Sequence, residues 1–325
     1  MRRTELGGAG GLPVSALCLG ALPFGTTVDE TTAYEILDRF VEAGGTFIDT
    51  SNNYACWVEG ATGDESELVL GRWLATRKIR DQVVLATKVG ARPSPERGAA
   101  WPRNSEGLAA RTVRAGIEGS LRRLGTDHVD LYYAHIADDG TPLEETVTAF
   151  SALVTEGRAR MVGCSNHPVG LLRRARSLAA DRGLTPYRVI QQRHTYLRPR
   201  PGAEFGVQEY VTDDLLDYVA DRPDLSLLAY SVLLSGAYTR PDRALPEQYD
   251  RPGTAQRLTV LREVAAEIGA TPNQVVLSWL LHGEPPVMPV IGVSSVGQLQ
   301  ECLAAVDLHL DRRLRERLDL RLPHP

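Results

Sequence analysis

One lysine stands out among the residues that could carry chemistry. The chain has thirty-six basic residues, of which only Lys78 and Lys88 are lysines and the other thirty-four are arginines. Lys88 closes the apolar run 83–88, which predicts that it lies at the end of a buried strand. The lysine ammonium is a compact charge that shifts the pKa of a neighbour, whereas the arginine guanidinium is always protonated and spreads its charge over a planar group with several N–H donors. The side chains beside Lys88 therefore decide whether it is catalytic or a leftover surface residue.

Three further residues at predicted strand ends complete a chemical set. Asp49 ends the run 46–49, Tyr54 follows five residues later, and His135 ends the run 129–135. A phenol ordinarily has a pKa near 10, and a nearby ammonium lowers it. Asp49 can hold and neutralise Lys88, while His135 can bind a substrate oxygen. Each residue alone has an ordinary structural explanation, but together they predict proton transfer to an oxygen that gains negative charge.

The elements that must position these residues alternate along the chain. Strand-like runs fall at 15–20, 46–49, 83–88, 129–135, 159–164, 188–192, 225–231 and 287–292. Helical periodicity occupies 30–43, 65–76, 105–124, 142–156, 169–180, 213–220, 255–268 and 296–306, with an additional helix at 275–281. Eight βα units without a composition break predict an α/β fold, a single (β/α)8 TIM barrel over residues 1–325. A doubly wound sheet is the alternative, but its glycine-rich turn after the first strand is missing.

Turns and loops refine this barrel. The glycine-rich segment 7–11 predicts the turn of an N-terminal β-hairpin cap. Long loops at 51–64, 90–104, 196–212 and 236–254 follow predicted strands, on the C-terminal face where barrel active sites lie. Thr141 and Thr271 each precede a proline with capping-box spacing, which predicts that they begin helices.

Bulk composition narrows the class of protein. The net charge is −5 and the pI about 5.9, without a basic stripe, so nucleic acid is not an expected partner. No apolar run approaches the ~18 residues of a membrane span, and the first residues lack the apolar stretch of a signal peptide. We therefore expect no membrane partner and a cytoplasmic location. The cysteines, which lie far apart, are expected to be free thiols, and no spacing predicts a metal site: Cys18, Cys56, Cys164 and Cys302.

Several stretches carry a resemblance to a known family. They are 45–54 (GTFIDTSNNY), 86–90 (ATKVG), 129–135 (VDLYYAH), 153–166 (LVTEGRARMVGCSN), 228–231 (LAYS) and 290–295 (VIGVSS). Through them the chain resembles the aldo-keto reductase superfamily over nearly its whole length. The resemblance implies NAD(P)H-dependent reduction of an aldehyde or ketone, with hydride from the nicotinamide and a proton from Tyr54. It also implies that Asp49, Tyr54, Lys88 and His135 form the catalytic tetrad, in which His135 positions the carbonyl.

The same resemblance implies a set of cofactor-binding residues. Ser165 and Asn166 match residues that hold the nicotinamide carboxamide, and Tyr230 matches the aromatic that stacks on the ring. Gln192 is our choice for the amide on the sixth strand, although Gln191 competes for that role. The remaining positions surround the pyrophosphate and the adenosine: Gly20, Ser231, Leu233, Ser235, Gly236, Gly292, Ser294, Gln298 and Glu301.

The cofactor and the substrate stay partly open. Many family members place a basic residue within the window 292–302, and this chain has none there, so NADP(H) is expected while NAD(H) remains possible. Trp57 and Trp101 are candidates for an aromatic wall that orients a flat or cyclic carbonyl substrate. A sugar-like aldehyde and a natural-product ketone both fit.

Other functional classes and the oligomeric state also stay open. Some relatives of the family are cofactor-sensing subunits with little turnover, which is the alternative function. A barrel hydrolase or metal enzyme has no supporting motif. Monomer and homo-oligomer fit the sequence equally well.

Overall fold

A closed barrel of eight parallel strands forms the centre of the computed structural model, which describes residues 1–319 except 95, 97 and 99. Two antiparallel strands precede it, β1 (Arg3–Leu6) and β2 (Leu12–Ser15). The barrel strands are β3 (Cys18–Gly20), β4 (Phe47–Asp49), β5 (Val84–Val89), β6 (Val129–Ala134), β7 (Ala159–Ser165), β8 (Val189–Arg193), β9 (Ser226–Tyr230) and β10 (Val287–Gly292). Strand β10 closes the barrel by pairing with β3. The predicted (β/α)8 TIM barrel with an N-terminal hairpin is confirmed.

Helices surround the barrel. Those of the described residues are α1 (Glu30–Glu42), α2 (Glu65–Arg77), α3 (Ala110–Leu124), α4 (Leu143–Thr155), α5 (Val169–Arg182), α6 (Asp213–Ala220), α7 (Thr254–Glu267), α8 (Pro272–Leu281), α9 (Val296–Ala304) and α10 (Arg312–Leu318). Helix α1 shows the pattern, since Ile36, Leu37 and Phe40 recur at helical spacing and are buried. The Asp29 side chain accepts from the first turn and caps that helix. Among the described residues, no helix combines the length and the hydrophobicity needed to cross a membrane.

The barrel interior is filled by alternate strand residues. Phe47, Leu131 and Val189 belong to an apolar cluster that also contains Leu6 and Val14 of the hairpin. Successive side chains on a strand point to opposite faces, so the remaining strand residues pack outward on the helices. The hairpin therefore plugs the N-terminal end of the barrel, and the C-terminal end is left for a site.

One glycine is required by the packing of this interior. A Cβ at Gly163 on β7 would lie 2.7 Å from the Val189 carbonyl oxygen and 2.9 Å from two ring atoms of Tyr133. The Tyr133 ring thus occupies the space that a side chain at position 163 would need. A large aromatic inside the barrel is accommodated by a missing side chain on the neighbouring strand.

Several predicted boundaries were wrong for local physical reasons. The run 15–20 is not one strand, because Ser15 ends β2 and the barrel strand begins at Cys18. The helix predicted from residue 105 begins at Ala110, since Ser105 instead bridges to the preceding loop. Thr141 does not cap a helix, because its hydroxyl donates to Asp138 Oδ2 (2.7 Å). Helix α10 was not predicted, whereas the capping box at Thr271 is confirmed.

A buried histidine makes the fold sensitive to acid. His167 follows β7, is buried, and its Nδ1 lies 2.7 Å from the Ser165 carbonyl oxygen. Burial lowers the pKa of His167 from 6.5 to about 4. Between pH 6.5 and about pH 4, His167 is protonated in the unfolded chain and neutral in the folded chain. The free energy of unfolding therefore falls as the pH falls through this window. Below pH 4, this difference between the two pKa values has lowered the free energy of unfolding by about 3 kcal/mol.

We predict that replacing His167 flattens the acid limb of the stability profile. In urea unfolding between pH 7 and 4, the His167→Asn variant should lose less stability than the unmodified protein, by about 3 kcal/mol at most. The variant starts from a lower stability, so the slope with pH is the relevant quantity. His309→Asn, at an exposed position, is the control and should keep the original slope. Identical slopes for all three proteins would contradict the assignment to His167.

Candidate active site

The tetrad residues meet at the C-terminal end of β4, β5 and β6. Lys88 Nζ donates to Asp49 Oδ2, to the Thr50 carbonyl oxygen (2.8 Å) and to Tyr54 Oη (2.6 Å). The Tyr54 hydroxyl donates in turn to Asp49 Oδ2 (2.8 Å). Lys88 and Asp49 have no exposed surface, and Tyr54 is 9% exposed. The ammonium, the carboxylate and the phenol therefore form one buried cluster that reaches the surface through the tyrosine.

The loop after β4 is held in register with β5, which brings Tyr54 over Lys88. The Thr50 N–H donates to the Ala86 carbonyl oxygen (2.9 Å), and the Asn52 N–H donates to the carbonyl oxygen of Lys88 (3.2 Å). The chain therefore continues beside β5 for three residues beyond the last residue of β4. The phenol consequently lies above the ammonium although Tyr54 belongs to no strand.

Burial governs the protonation of this cluster. It raises the pKa of the Tyr54 phenol well above 10, and the charge of Asp49 raises it further. Our expectation of a lowered Tyr54 pKa is wrong for the protein as it stands, because burial and the hydrogen bond to the Asp49 carboxylate raise this pKa. Burial also lowers the pKa of the Lys88 ammonium, against the opposing effect of Asp49. Tyr54 thus holds its proton firmly, next to a cation that can stabilise the phenolate.

His135 stands at the edge of the same cluster. Its ring meets that of Tyr54 edge-on, with 6.0 Å between the ring centroids. Its Nδ1 lies 3.0 Å from Ser51 Oγ, and its backbone oxygen accepts from Asn166 Nδ2 (2.9 Å). Burial, followed by the charge of Lys88, lowers the pKa of His135 well below 6.5. The imidazole is therefore neutral at neutral pH.

The two neighbouring glutamines of β8 have opposite surroundings. Gln191 Nε2 donates to Asp49 Oδ1 (3.1 Å), so Gln191 faces the tetrad. Gln192 Nε2 donates to the backbone oxygen of His167 (2.7 Å), on the other side of the strand. Adjacent strand residues point to opposite faces, so only one of the two glutamines faces the tetrad, and our assignment of Gln192 to the cofactor stays a prediction. Gln191 is the glutamine at the tetrad.

Two predicted nicotinamide contacts lie beside His135. Asn166 has φ +54° and shares hydrogen bonds with Ser165 Oγ (3.1 Å) and with the Tyr230 hydroxyl, which donates to Asn166 Oδ1 (2.6 Å). Ser165 Oγ donates to the Gln191 backbone oxygen (2.8 Å). The ends of β7, β8 and β9 are thereby tied together next to the tetrad.

An unusual backbone run follows β9. Ser231, Leu234 and Ser235 have φ values of +56°, +48° and +56°, and Gly236 has +90°. Non-glycine residues rarely adopt this left-handed region, and several close together are strained. Such turns direct successive N–H groups into a concave surface that suits an anion. The segment coincides with the predicted pyrophosphate loop, in which Leu233 is the only named residue without a positive φ.

The predicted adenosine positions are spread over the last strand and helix. Gly292 ends β10 and is exposed, and Gly20 lies beside it on β3 through the pairing of these two strands. Ser294 donates through its N–H (2.8 Å) and hydroxyl (3.1 Å) to Gln298 Oε1 at the start of α9. Glu301 instead accepts from Thr271 Oγ1 (2.7 Å) at the start of α8. Glu301 therefore ties α9 to the start of α8.

The two tryptophans proposed for substrate binding are exposed on the loops beyond β4 and β5. Trp57 has 67% of its surface exposed and Trp101 has 47%. Trp101 Nε1 donates to the Ala91 carbonyl oxygen (3.1 Å), and Asn53 Nδ2 donates to the same oxygen (3.2 Å). Trp101 is thus connected to the loop that carries Tyr54.

Comparison with known proteins identifies the family. The model of the Aldo/keto reductase family matches residues 16–319. The chain belongs to the aldo/keto reductase family. The uncharacterized oxidoreductase YrpG of Bacillus subtilis (strain 168) is 34% identical over 330 residues, which cover 100% of this chain and 97% of that protein. A norsolorinic acid reductase of Emericella nidulans is 32% identical over 315 residues, covering 92% of this chain and 76% of the relative.

Solved structures agree with this assignment. A thermostable aldo-keto reductase in complex with the inhibitor epalrestat superposes with a TM-score of 0.76 at 27% identity. The match covers 98% of this chain and 99% of that chain. The family and the fold therefore rest on sequence and structure alike.

Sequence reasoning missed three residues of this aldo-keto reductase site. Gln191 was only a competitor, and Ser51 and Asn53 were quoted in a motif without a role. No signal in the sequence selects Gln191, because β8 is buried on both faces. Nothing in the residue types shows that Ser51 contacts the imidazole or that Asn53 accepts from Ser51, because the contact between Ser51 and His135 joins two loops. No group of three or more metal-binding side chains occurs among the described residues.

We predict that removing one partner of the buried ion pair destabilises the fold strongly. Lys88→Met leaves Asp49 charged and without its cation inside the barrel, which should cost about 3–5 kcal/mol in urea unfolding. The double variant Lys88→Met/Asp49→Asn has no unpaired charge and should regain a large part of that loss. Lys78→Met changes the other lysine, which is exposed, and should be close to neutral. A Lys88→Met variant as stable as the control would show that the pair is not essential to the fold.

Proposed function

We propose that this protein is a nicotinamide-dependent reductase of an aldehyde or ketone, with Tyr54 as the proton donor. The observation that carries the proposal is the position of Tyr54 Oη, 2.6 Å from Lys88 Nζ and 2.8 Å from Asp49 Oδ2, at the one exposed edge of the cluster. A phenol that keeps its proton next to a buried cation can protonate a carbonyl oxygen as that oxygen becomes an alkoxide. When bound, the cofactor supplies a hydride to the carbonyl carbon.

The residues of the chain divide the remaining work. Tyr54 Oη gives its proton to the carbonyl oxygen as that oxygen becomes negative. Lys88 already donates to Oη and so stabilises the phenolate as soon as it forms. Asp49 keeps the ammonium charged and in place, and Gln191 holds the second oxygen of Asp49. His135 stays neutral and contacts the substrate at the edge of Tyr54.

The surroundings of the tetrad suit a nicotinamide cofactor. The left-handed run 231–236 offers backbone groups to a pyrophosphate, and the start of α9 offers N–H groups to a further phosphate. Ser165, Asn166 and Gln192 supply amide and hydroxyl groups for a carboxamide, and Tyr230 supplies an aromatic ring. The proposal includes a cytoplasmic location, which the four unpaired cysteines support.

A natural-product carbonyl is our choice of substrate class. The norsolorinic acid reductase of Emericella nidulans, at 32% identity, supports it. The exposed rings of Trp57 and Trp101 also favour a flat, partly apolar compound over a free sugar.

We predict that Tyr54→Phe abolishes most carbonyl reduction. The ring remains while the proton donor disappears, so kcat should fall by at least about 100-fold with aldehydes and ketones. Cofactor affinity, followed by nicotinamide fluorescence, should change little. Tyr34→Phe on α1, away from the site, is the matched control and should keep full activity.

Two results of that experiment would count against the proposal. Full turnover by Tyr54→Phe would remove Tyr54 from the mechanism. Tight cofactor binding without turnover in the unmodified protein would favour the cofactor-sensing subunit instead.

We propose NADP(H) as the cofactor, by a small margin over NAD(H). The window 292–302 contains no basic side chain for a 2′-phosphate, and Gln298 at the exposed start of α9 is the natural position for one. Gln298→Arg should therefore strengthen NADPH binding about tenfold through a charge-assisted hydrogen bond.

Titration calorimetry with both cofactors measures the effect. NADH affinity should stay the same in the Arg variant, and Gln298→Leu controls for the lost amide. An unchanged dissociation constant for NADPH in Gln298→Arg would contradict the proposed location of the adenosine end.

A further inference from the structure

Arg193 places a guanidinium at the rim of the barrel, on the face that carries the tetrad. It is the last residue of β8 and follows Gln191 by two positions, so the two side chains lie on the same face of the strand. Gln191 contacts Asp49 of the tetrad, and Arg193 lies one step nearer to the mouth of the barrel. Across the sheet it is level with Tyr230, the predicted neighbour of the nicotinamide. Arg193 is partly exposed there.

Four side chains fix the orientation of this guanidinium. Nε donates to Tyr249 Oη (3.2 Å), and Nη1 donates to Gln208 Oε1 (2.9 Å) and to Ser231 Oγ (3.3 Å). The guanidinium also lies over the Phe205 ring, with 4.6 Å from Cζ to the ring centroid. These residues come from the loops that follow β8 and β9 and from the loop before α7. The planar group is therefore held in one place by three segments of the chain.

The charge of Arg193 has no counter-ion in the part of the chain that the structure describes. Nε and Nη1 use three of the five N–H groups of the guanidinium, which leaves the two of Nη2. No carboxylate of the described residues pairs with it, whereas Arg198 in the same loop pairs with Asp213 (3.3 Å). A partly buried charge without a partner is costly. The group is therefore suited to binding an anion from outside the chain.

The neighbours of Arg193 indicate a phosphate. Ser231 Oγ accepts from Arg193, so its own hydrogen can be donated to a further acceptor. Ser231 begins the left-handed run 231–236, and the N–H of Leu233 in this run donates to no group of the described residues. A guanidinium, a hydroxyl and a backbone N–H in adjoining positions match the several acceptor oxygens of a phosphate.

The charged group of a substrate fits this place less well. The candidate substrate residues Trp57 and Trp101 lie on the loops beyond β4 and β5. In the closed strand order, β8 stands across the barrel from β4. Arg193 therefore belongs to the side of the mouth that carries the predicted cofactor positions.

We propose that Arg193 binds the pyrophosphate of the nicotinamide cofactor together with Ser231. The inference rests on the proposed nicotinamide-dependent function and adds to it a positive charge at the end of β8. Since NADPH and NADH both carry the pyrophosphate, Arg193 should strengthen the binding of both.

Cofactor titration of Arg193→Gln tests this assignment without turnover. The variant loses the charge, so the dissociation constants of NADPH and NADH should rise about tenfold or more, by the same factor. Both constants should also depend less on salt, because one ion contact is lost. A contact with the 2′-phosphate would change NADPH alone and would overturn the inference. Arg198→Gln, exposed in the same loop, is the control and should bind both cofactors like the unmodified protein.

Arg193→Lys separates the charge from the structure of the loops. Lysine lacks the planar group that reaches Tyr249, Gln208 and Ser231 together, so both variants lose these bonds, while only Arg193→Gln loses the charge. We expect Arg193→Lys to keep much of the affinity and of the salt dependence. Equal losses in the two variants would make Arg193 a purely structural residue and overturn the inference.

Further outcomes separate this inference from the proposed function. If the unmodified protein binds neither cofactor, both fall. Unchanged cofactor binding by Arg193→Gln would overturn the inference and leave the reductase standing. The same result with a raised KM for the keto acid phenylglyoxylate, but not for neutral acetophenone, would assign Arg193 to the substrate and likewise overturn it.

A labelling experiment decides the question if Arg193→Gln does not fold. Phenylglyoxal modifies accessible arginines, and peptide mass spectrometry locates the modified positions in the unmodified chain. Bound NADH should slow the labelling of Arg193 several-fold and leave that of Arg198 unchanged. Equal labelling of Arg193 with and without NADH would contradict the contact.

Discussion

A buried ion pair between Lys88 and Asp49 is the constraint on which the site depends. Neither side chain has exposed surface, and burying such charges costs several kcal/mol per ion unless partners satisfy them. Four interactions satisfy these charges. Lys88 donates to the Thr50 carbonyl oxygen and to the Tyr54 hydroxyl, Gln191 donates to the second carboxylate oxygen of Asp49, and the two charges pair with each other. The parallel register of β4 with β5 sets the two charges side by side. The barrel thus has to be closed for the pair to be tolerated.

One short segment controls both the phenol and the imidazole. Residues 50–52 run beside β5 and lead to Tyr54 at the ammonium, while Ser51 in the same segment contacts the His135 ring and donates to Asn53 Oδ1. The segment is anchored by Asn52, whose amide donates to Glu106 Oε1 (2.9 Å) in the next long loop. A displacement of this segment would therefore disturb the contacts of the phenol and of the imidazole together.

The barrel could be predicted because its signals are local and repeated. Eight apolar runs and their helices appear in the sequence in order, and the tetrad residues all fall at or just after strand ends. Which of Gln191 and Gln192 contacts the tetrad could not be predicted, because it depends on which face of β8 points inward, and a strand buried on both faces shows no alternation in its sequence. Thr141 failed as a cap because Asp138, three residues earlier, competes for its hydroxyl. Ser51 could not be recognised because its partner lies eighty-four residues away.

The protonation of Tyr54 bears on the direction of the reaction. Alcohol oxidation needs a phenolate first, and burial together with Asp49 raises the pKa of Tyr54 well above 10, which makes that state costly before substrate arrives. Carbonyl reduction needs the opposite, a phenol that keeps its proton until a more basic oxygen forms beside it. Lys88 stabilises the phenolate only after that transfer, at a distance already short enough for a hydrogen bond. The same burial therefore keeps Tyr54 in the protonated state from which the proposed reduction starts.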